Sequence, residues 1–155
     1  MNEHFLKLAI DEGFQGMRSD AGGPFGAVIV LDGEIIARAH NTVTSTNDPS
    51  AHAEVNALRI ACAAQQTFHL PDAILYASCE PCPMCLTTTY WAGIRTVYYA
   101  ATRDDAADAG FDDKVIYDEM TNGNLVKVFS LTQMDLPEAK ALFEEWRSKV
   151  DRIDY

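Results

Sequence analysis

The sequence predicts a three-layer α/β domain in which a mixed five-stranded sheet is flanked by helices. Two observations predict it. A near-continuous apolar run at about 26–31 suits a strand covered on both faces, and shorter strand-like stretches follow at 74–78 and 95–101. Stretches of helical period lie between them, so the middle of the chain reads helix, strand, helix, strand, the order of crossover connections in a partly parallel sheet.

In chain order, residues 3–18 form the first helix, because Phe5, Leu8, Ala9 and Glu12 recur at three- and four-residue spacing; Gly13 and Gly16 weaken its second half. Gly22-Gly23-Pro24 breaks the chain before a strand at 26–31. Asp32-Gly33 is a strong two-residue turn signal, which makes the segment from Glu34 to His40 the return strand of a hairpin. A polar loop follows from Asn41 to Asn47. Asp48 or Ser50 then caps a helix over about 51–65, with Pro49 tolerated in its first turn and Val55, Leu58, Ala61 and Cys62 as its core stripe. His69 to Asp72 leads into a buried strand from Ile74 to Ser78. A second helix runs from near Pro81 to about Gly93, and Arg95 to Ala101 supplies the next strand. Polar helical turns at about 103–120, a fifth strand at about 125–131 and a last helix from near Pro137 complete the chain. In that helix Leu142, Trp146 and Val150 recur at four-residue spacing and must cover something, either this domain or a partner subunit.

A length of 155 residues suits one domain, 1–155, with a single core. The formal net charge is −11, from 23 acidic against 12 basic residues, and the longest basic grouping is Arg147-Ser148-Lys149. A surface of that sign repels phosphate backbones, so no nucleic-acid partner is expected. No stretch approaches the roughly 18 apolar residues of a membrane span, and Met1-Asn2-Glu3-His4 carries neither the positive region nor the apolar run of a secretory signal. A cytoplasmic protein is predicted. There, four cysteines point to metal, catalysis or simple burial rather than disulfides.

The chemistry sits in two short stretches, His52-Ala53-Glu54 and Pro81-Cys82-Pro83-Met84-Cys85. Three-residue spacing at a helix start puts both sulfurs of Cys82 and Cys85 on one face, where the free amides and dipole of the first turn favour thiolates. Two thiolates and one imidazole make a common zinc set, and three protein ligands leave a fourth position for water. Glu54, two residues beyond His52, can approach that water from the side and move its proton. Other readings share parts of the pattern. A redox pair would use the two cysteines but leave His52-Ala53-Glu54 unexplained. A closed structural site would add Cys79, which is equally spaced from Cys82; against it, Pro81 turns the chain and keeps Cys79 in the strand.

These residues resemble the cytidine and nucleobase deaminase superfamily, whose signature is H-x-E followed by P-C-x-x-C. The resemblance implies a cytidine-deaminase-like fold, one zinc ion per subunit and Glu54 as the catalytic acid and base. A finer likeness, to the small bacterial guanine deaminases, rests on Gly22-Gly23-Pro24-Phe25-Gly26-Ala27, Asn47-Asp48-Pro49, the run from Ser78 to Cys85, Ala109-Gly110-Phe111-Asp112-Asp113 and the terminal Tyr155. It implies hydrolysis of guanine to xanthine and ammonia, with guanosine, ammeline, cytosine or tRNA-borne adenosine as alternative substrates and a non-enzymatic zinc protein as the further alternative. By the same resemblance, Phe25 borders the purine ring, Asn41 hydrogen-bonds the base, Asp113 approaches its amino-bearing edge, Trp91 walls the pocket and Ala53 contacts the substrate. It further implies a homodimer that exchanges a C-terminal segment of about 132–155, bringing Tyr155 to the partner's site.

Overall fold

Elements follow one another as α1 (Glu3–Arg18), β1 (Gly26–Leu31), β2 (Glu34–His40), α2 (Val43–Thr46), α3 (Ala53–Gln65), β3 (Ile74–Cys79), α4 (Pro83–Trp91), β4 (Thr96–Ala101), α5 (Arg103–Asp108) and α6 (Lys114–Thr121). The computed structural model describes residues 2–121 and 145–150. The chain divides into two compact units, Met1–Lys114 and Val115–Tyr155. Within the second, 145–148 are helical and Trp146 and Val150 are exposed. The strand expected at about 125–131, the start of the last helix near Pro137, Leu142 and Tyr155 lie outside the described residues. Among the described residues no helix is long and apolar enough to cross a membrane.

In the first unit the sheet order is β2-β1-β3-β4. It has four strands among the described residues where five are expected; the fifth expected strand is the one outside them. β1 runs antiparallel to both β2 and β3, whereas β3 and β4 are parallel, joined by α4. The hairpin turn forms as the Asp32-Gly33 signal predicts. Both residues have positive φ, 52° and 85°, the twist that matches two right-twisted strands. The segment expected as loop at 41–47 instead contains the single helical turn α2, which ends at Asn47 in the left-handed region.

Alternation along the central strands makes the three layers. Val28, Val30 and Tyr76 face α1, packing with Ala9, Phe5 and Leu8. Ala27, Ile29 and Leu75 face the opposite way, against Ala57, Leu58 and Ala61 of α3. Of the stripe expected on α3, Cys62 is only partly buried; Ala53 and Ala57 supply the burial instead. Leu75 is fully buried at the middle of this core. Leu75→Ala is expected to lower the unfolding free energy by roughly 2–5 kcal/mol through lost transfer energy and a residual cavity. A urea titration checks it, as a lower midpoint at unchanged slope.

Strand register collects the functional residues at one end of the sheet. Gly26 pairs with His40, Ala27 with Ala77 and Cys79 with Ala101. Phe25 before β1, Asn41 after β2, Cys82 after β3 and Arg103 after β4 therefore emerge together, as expected for ligand sites at the strand ends of α/β sheets.

Candidate metal centre and its cavity

Two helix starts supply the site. His52 is the N-cap of α3 (φ −67°, ψ 156°) and Cys82 the N-cap of α4 (φ −64°, ψ 167°), and neither side chain caps its own helix. The cap expected at Asp48 or Ser50 does not form. Asp48 Oδ1 instead accepts hydrogen bonds from the Ser50 amide (2.8 Å) and hydroxyl (2.6 Å), closing a separate turn, and the helix begins at Ala53. Pro83 occupies the first turn of α4, where a missing N–H costs nothing. Cys85 follows within that turn and is fully buried.

His52 Nδ1 lies 3.5 Å from both Cys82 Sγ and Cys85 Sγ, and the three donor atoms all fall within 4.8 Å of one another. Tetrahedral zinc with ordinary Zn–N and Zn–S bonds holds such atoms roughly 3.6 Å apart, so the spacing fits the ion. Cys79 stands outside the group. Its thiol donates to the Thr102 carbonyl at 3.3 Å, and burial pushes its pKa up to about 11. The closed four-ligand alternative thus lacks its fourth ligand among the described residues.

Electrostatics in the site follow from crowding acidic groups around two helix N-termini. The hydrogen bond from Cys85 holds the Cys82 thiol down to about 4, helped by His52, while burial opposes. Its bond to Cys82, then burial and the Glu54 carboxylate push Cys85 far up. The bond to Cys82 raises His52 against its burial. Thiolate, thiol and imidazole thus share protons where a cation would neutralise them, the chemistry expected of a thiolate metal site. Glu54 Oε2 lies 3.4 Å from Cys85 Sγ, and burial, reinforced by the Cys82 charge, pushes its carboxyl above the usual range.

These groups open on a cavity of about 380 Å³ that includes Phe25, Asn41, His52, Glu54, Cys82 and Asp113 in its wall. Burial and the Cys82 charge raise Asp113. Two expected contacts are placed differently. Trp91 ends α4, six residues beyond Cys85 and so about 9 Å further along the axis; it is 59% exposed, packs edge-on to Tyr90 and does not line this cavity. The Ala53 side chain is buried in the core between sheet and α3 rather than in the wall. Sequence reasoning also missed Phe111, which meets Phe25 edge-to-face at 4.9 Å and 84°. The signal in the sequence was Gly110 directly before Phe111 and Asp112-Asp113; in the structure that glycine adopts φ 94° at the turn. Arg103, paired with Glu80 at 3.8 Å, is a second missed lining residue.

Residues 1–101 match the family model for the cytidine and deoxycytidylate deaminase zinc-binding region. The chain is 48% identical over 154 residues to guanine deaminase of Bacillus subtilis (strain 168), covering 99% of each chain. The crystal structure of a Bacillus subtilis guanine deaminase superposes with a TM-score of 0.94 at 49% identity, over 100% of this chain and 99% of that one. A tRNA-specific adenosine deaminase of Agrobacterium fabrum (strain C58 / ATCC 33970) is 46% identical over 99 residues, 63% of this chain and 64% of its own.

Proposed function

Because the chain belongs to the cytidine and deoxycytidylate deaminase family through its zinc-binding region, we propose that it is an aminohydrolase converting guanine and water to xanthine and ammonia. The observation that carries this reading is the convergence of His52, Cys82 and Cys85 on one point beside Glu54, in a chain aligned end to end with a guanine deaminase. His52, Cys82 and Cys85 would hold a zinc ion, which would supply Lewis acidity and lower the pKa of a water in the cavity toward neutrality.

The chain's own residues do the rest. A Glu54 carboxylate oxygen takes one proton of the water that adds to C2 and delivers it to the adjacent ring nitrogen. It then carries the remaining hydroxyl proton to the amino group as C2=O forms and the C2–N bond breaks, releasing ammonia. A buried carboxyl close to a thiolate holds a proton readily, which suits the donating half of that cycle. Phe25 and Phe111 offer aromatic surface to a flat ring, Asn41 hydrogen-bonds it, and Asp113 accepts from its N–H-bearing edge. Tyr155 acts at a site only in a homodimer that exchanges the C-terminal segment, and we include that assembly, in the cytoplasm, in the reading.

Ammonia release by the zinc-loaded protein across guanine, guanosine, adenine, cytosine and ammeline tests the assignment, with xanthine followed by its ultraviolet spectrum. Guanine is expected to lead the panel by at least tenfold. Faster release from any other base, or from tRNA-borne adenosine, reassigns the substrate.

A further inference from the structure

Asn41 is 5% exposed, and its side-chain oxygen is already used. The Gly23 amide donates to Asn41 Oδ1 at 3.2 Å and the Val43 amide donates to it at 3.1 Å. Two N–H donors on one atom decide the orientation of an amide, because a side-chain NH2 placed there would face hydrogen against hydrogen. The remaining atom, Nδ2, takes no partner among the described residues although Asn41 lines the cavity. The backbone around it is held as well: the Asn41 amide donates to the Phe25 carbonyl at 3.0 Å, and Asn56 Nδ2 donates to the preceding His40 carbonyl at 3.0 Å. Gly22 completes the enclosure. A Cβ there would run into Asn41 Oδ1 and stand 2.6 Å from the Asn41 carbonyl oxygen.

We infer that Gly22 and Gly23 are positioning residues that lock Asn41 in one polarity, so that the cavity meets a hydrogen-bond donor at this point and never an acceptor. The site then selects rings that present an acceptor, a carbonyl oxygen or an unprotonated ring nitrogen, to Asn41. A ring offering N–H there leaves two donors facing each other in a buried place, which costs far more than a missing contact. The inference rests on the proposed deaminase reading for the identity of the ring, but the lock itself rests only on the distances above.

Two variants test it, with KM, kcat, zinc content and melting temperature measured for each. In Asn41→Asp the oxygen that accepts from Gly23 and Val43 is kept, while Nδ2 becomes a second acceptor. It is expected to keep its zinc and melt within a few degrees of the parent, yet show KM for guanine raised about a hundredfold. Gly22→Ala displaces the amide without touching the metal ligands and is expected to raise KM about tenfold or more, with kcat within a few-fold and zinc unchanged. A parental KM in Asn41→Asp overturns the lock, since a purely structural asparagine is served equally well by either side chain. A Gly22→Ala protein that loses zinc and kcat while KM stays put overturns the positioning role. If the parent does not deaminate guanine, the substrate reading has failed separately, and the lock is scored by the same two KM values on whichever base of the panel the parent does deaminate.

Discussion

Glu54→Gln is expected to bind zinc as the parent does and to release ammonia roughly 10²–10⁴ times more slowly, the usual contribution of a positioned general acid and base. The substitution keeps the shape and one hydrogen-bonding oxygen at a 7% exposed position, so it leaves the helix start and the neighbouring Cys85 in place. It removes the ability to take up a proton and return it. Because the same carboxylate serves both proton transfers, the loss falls on kcat, with KM changed little. Zinc content by atomic absorption, measured beside the rate, separates this from damage to the metal site. Full zinc together with a parental rate would remove Glu54 from the chemistry.

The metal set was legible in the sequence because its chemistry is local. Cys82 and Cys85 share a helix turn, and His52 and Glu54 bracket another, so spacing alone orients each pair. Long-range geometry was less legible. Gly22 reaches Asn41 across 19 residues, brought there by the pairing of Gly26 with His40 and the hydrogen bonds beside it. Nothing local in Gly-Gly-Pro announces that contact. The start of α3 was misjudged for a different reason. Asp48, Ser50 and His52 all stand where an N-cap could stand, and Asp48 is taken first by Ser50, which leaves the helix to begin after an imidazole that points at sulfur rather than at its own amides. Trp91, expected at the pocket wall, stands at the far end of its helix and outside the cavity lining. The hairpin, by contrast, was readable from Asp32-Gly33 alone, because positive φ at two successive positions suits few other residue pairs.

Stripping the metal with a strong chelator is expected to abolish ammonia release and to lower the melting temperature, and added zinc is expected to restore both. Three donors within 4.8 Å of one another converge only in the folded chain, since His52 and Cys82 are brought together by two different helix starts. Metal affinity therefore counts as folding stability. At free zinc about a thousandfold above the dissociation constant this linkage contributes roughly 4 kcal/mol, which for a chain of this size corresponds to about 8–16 °C. The fall is bounded because the stripped site keeps contacts of its own: His52 Nδ1 sits within hydrogen-bonding distance of both sulfurs. The cores on either face of the sheet, built on Val28 and Leu75, do not depend on the ion. Chelated protein should thus remain folded by circular dichroism while inactive. Cys85→Ser should resemble the chelated state even in added zinc, because a hydroxyl is a poor substitute for a thiolate toward this metal. Chelated protein that keeps both its melting temperature and its rate would show that these three side chains hold no ion the reaction needs.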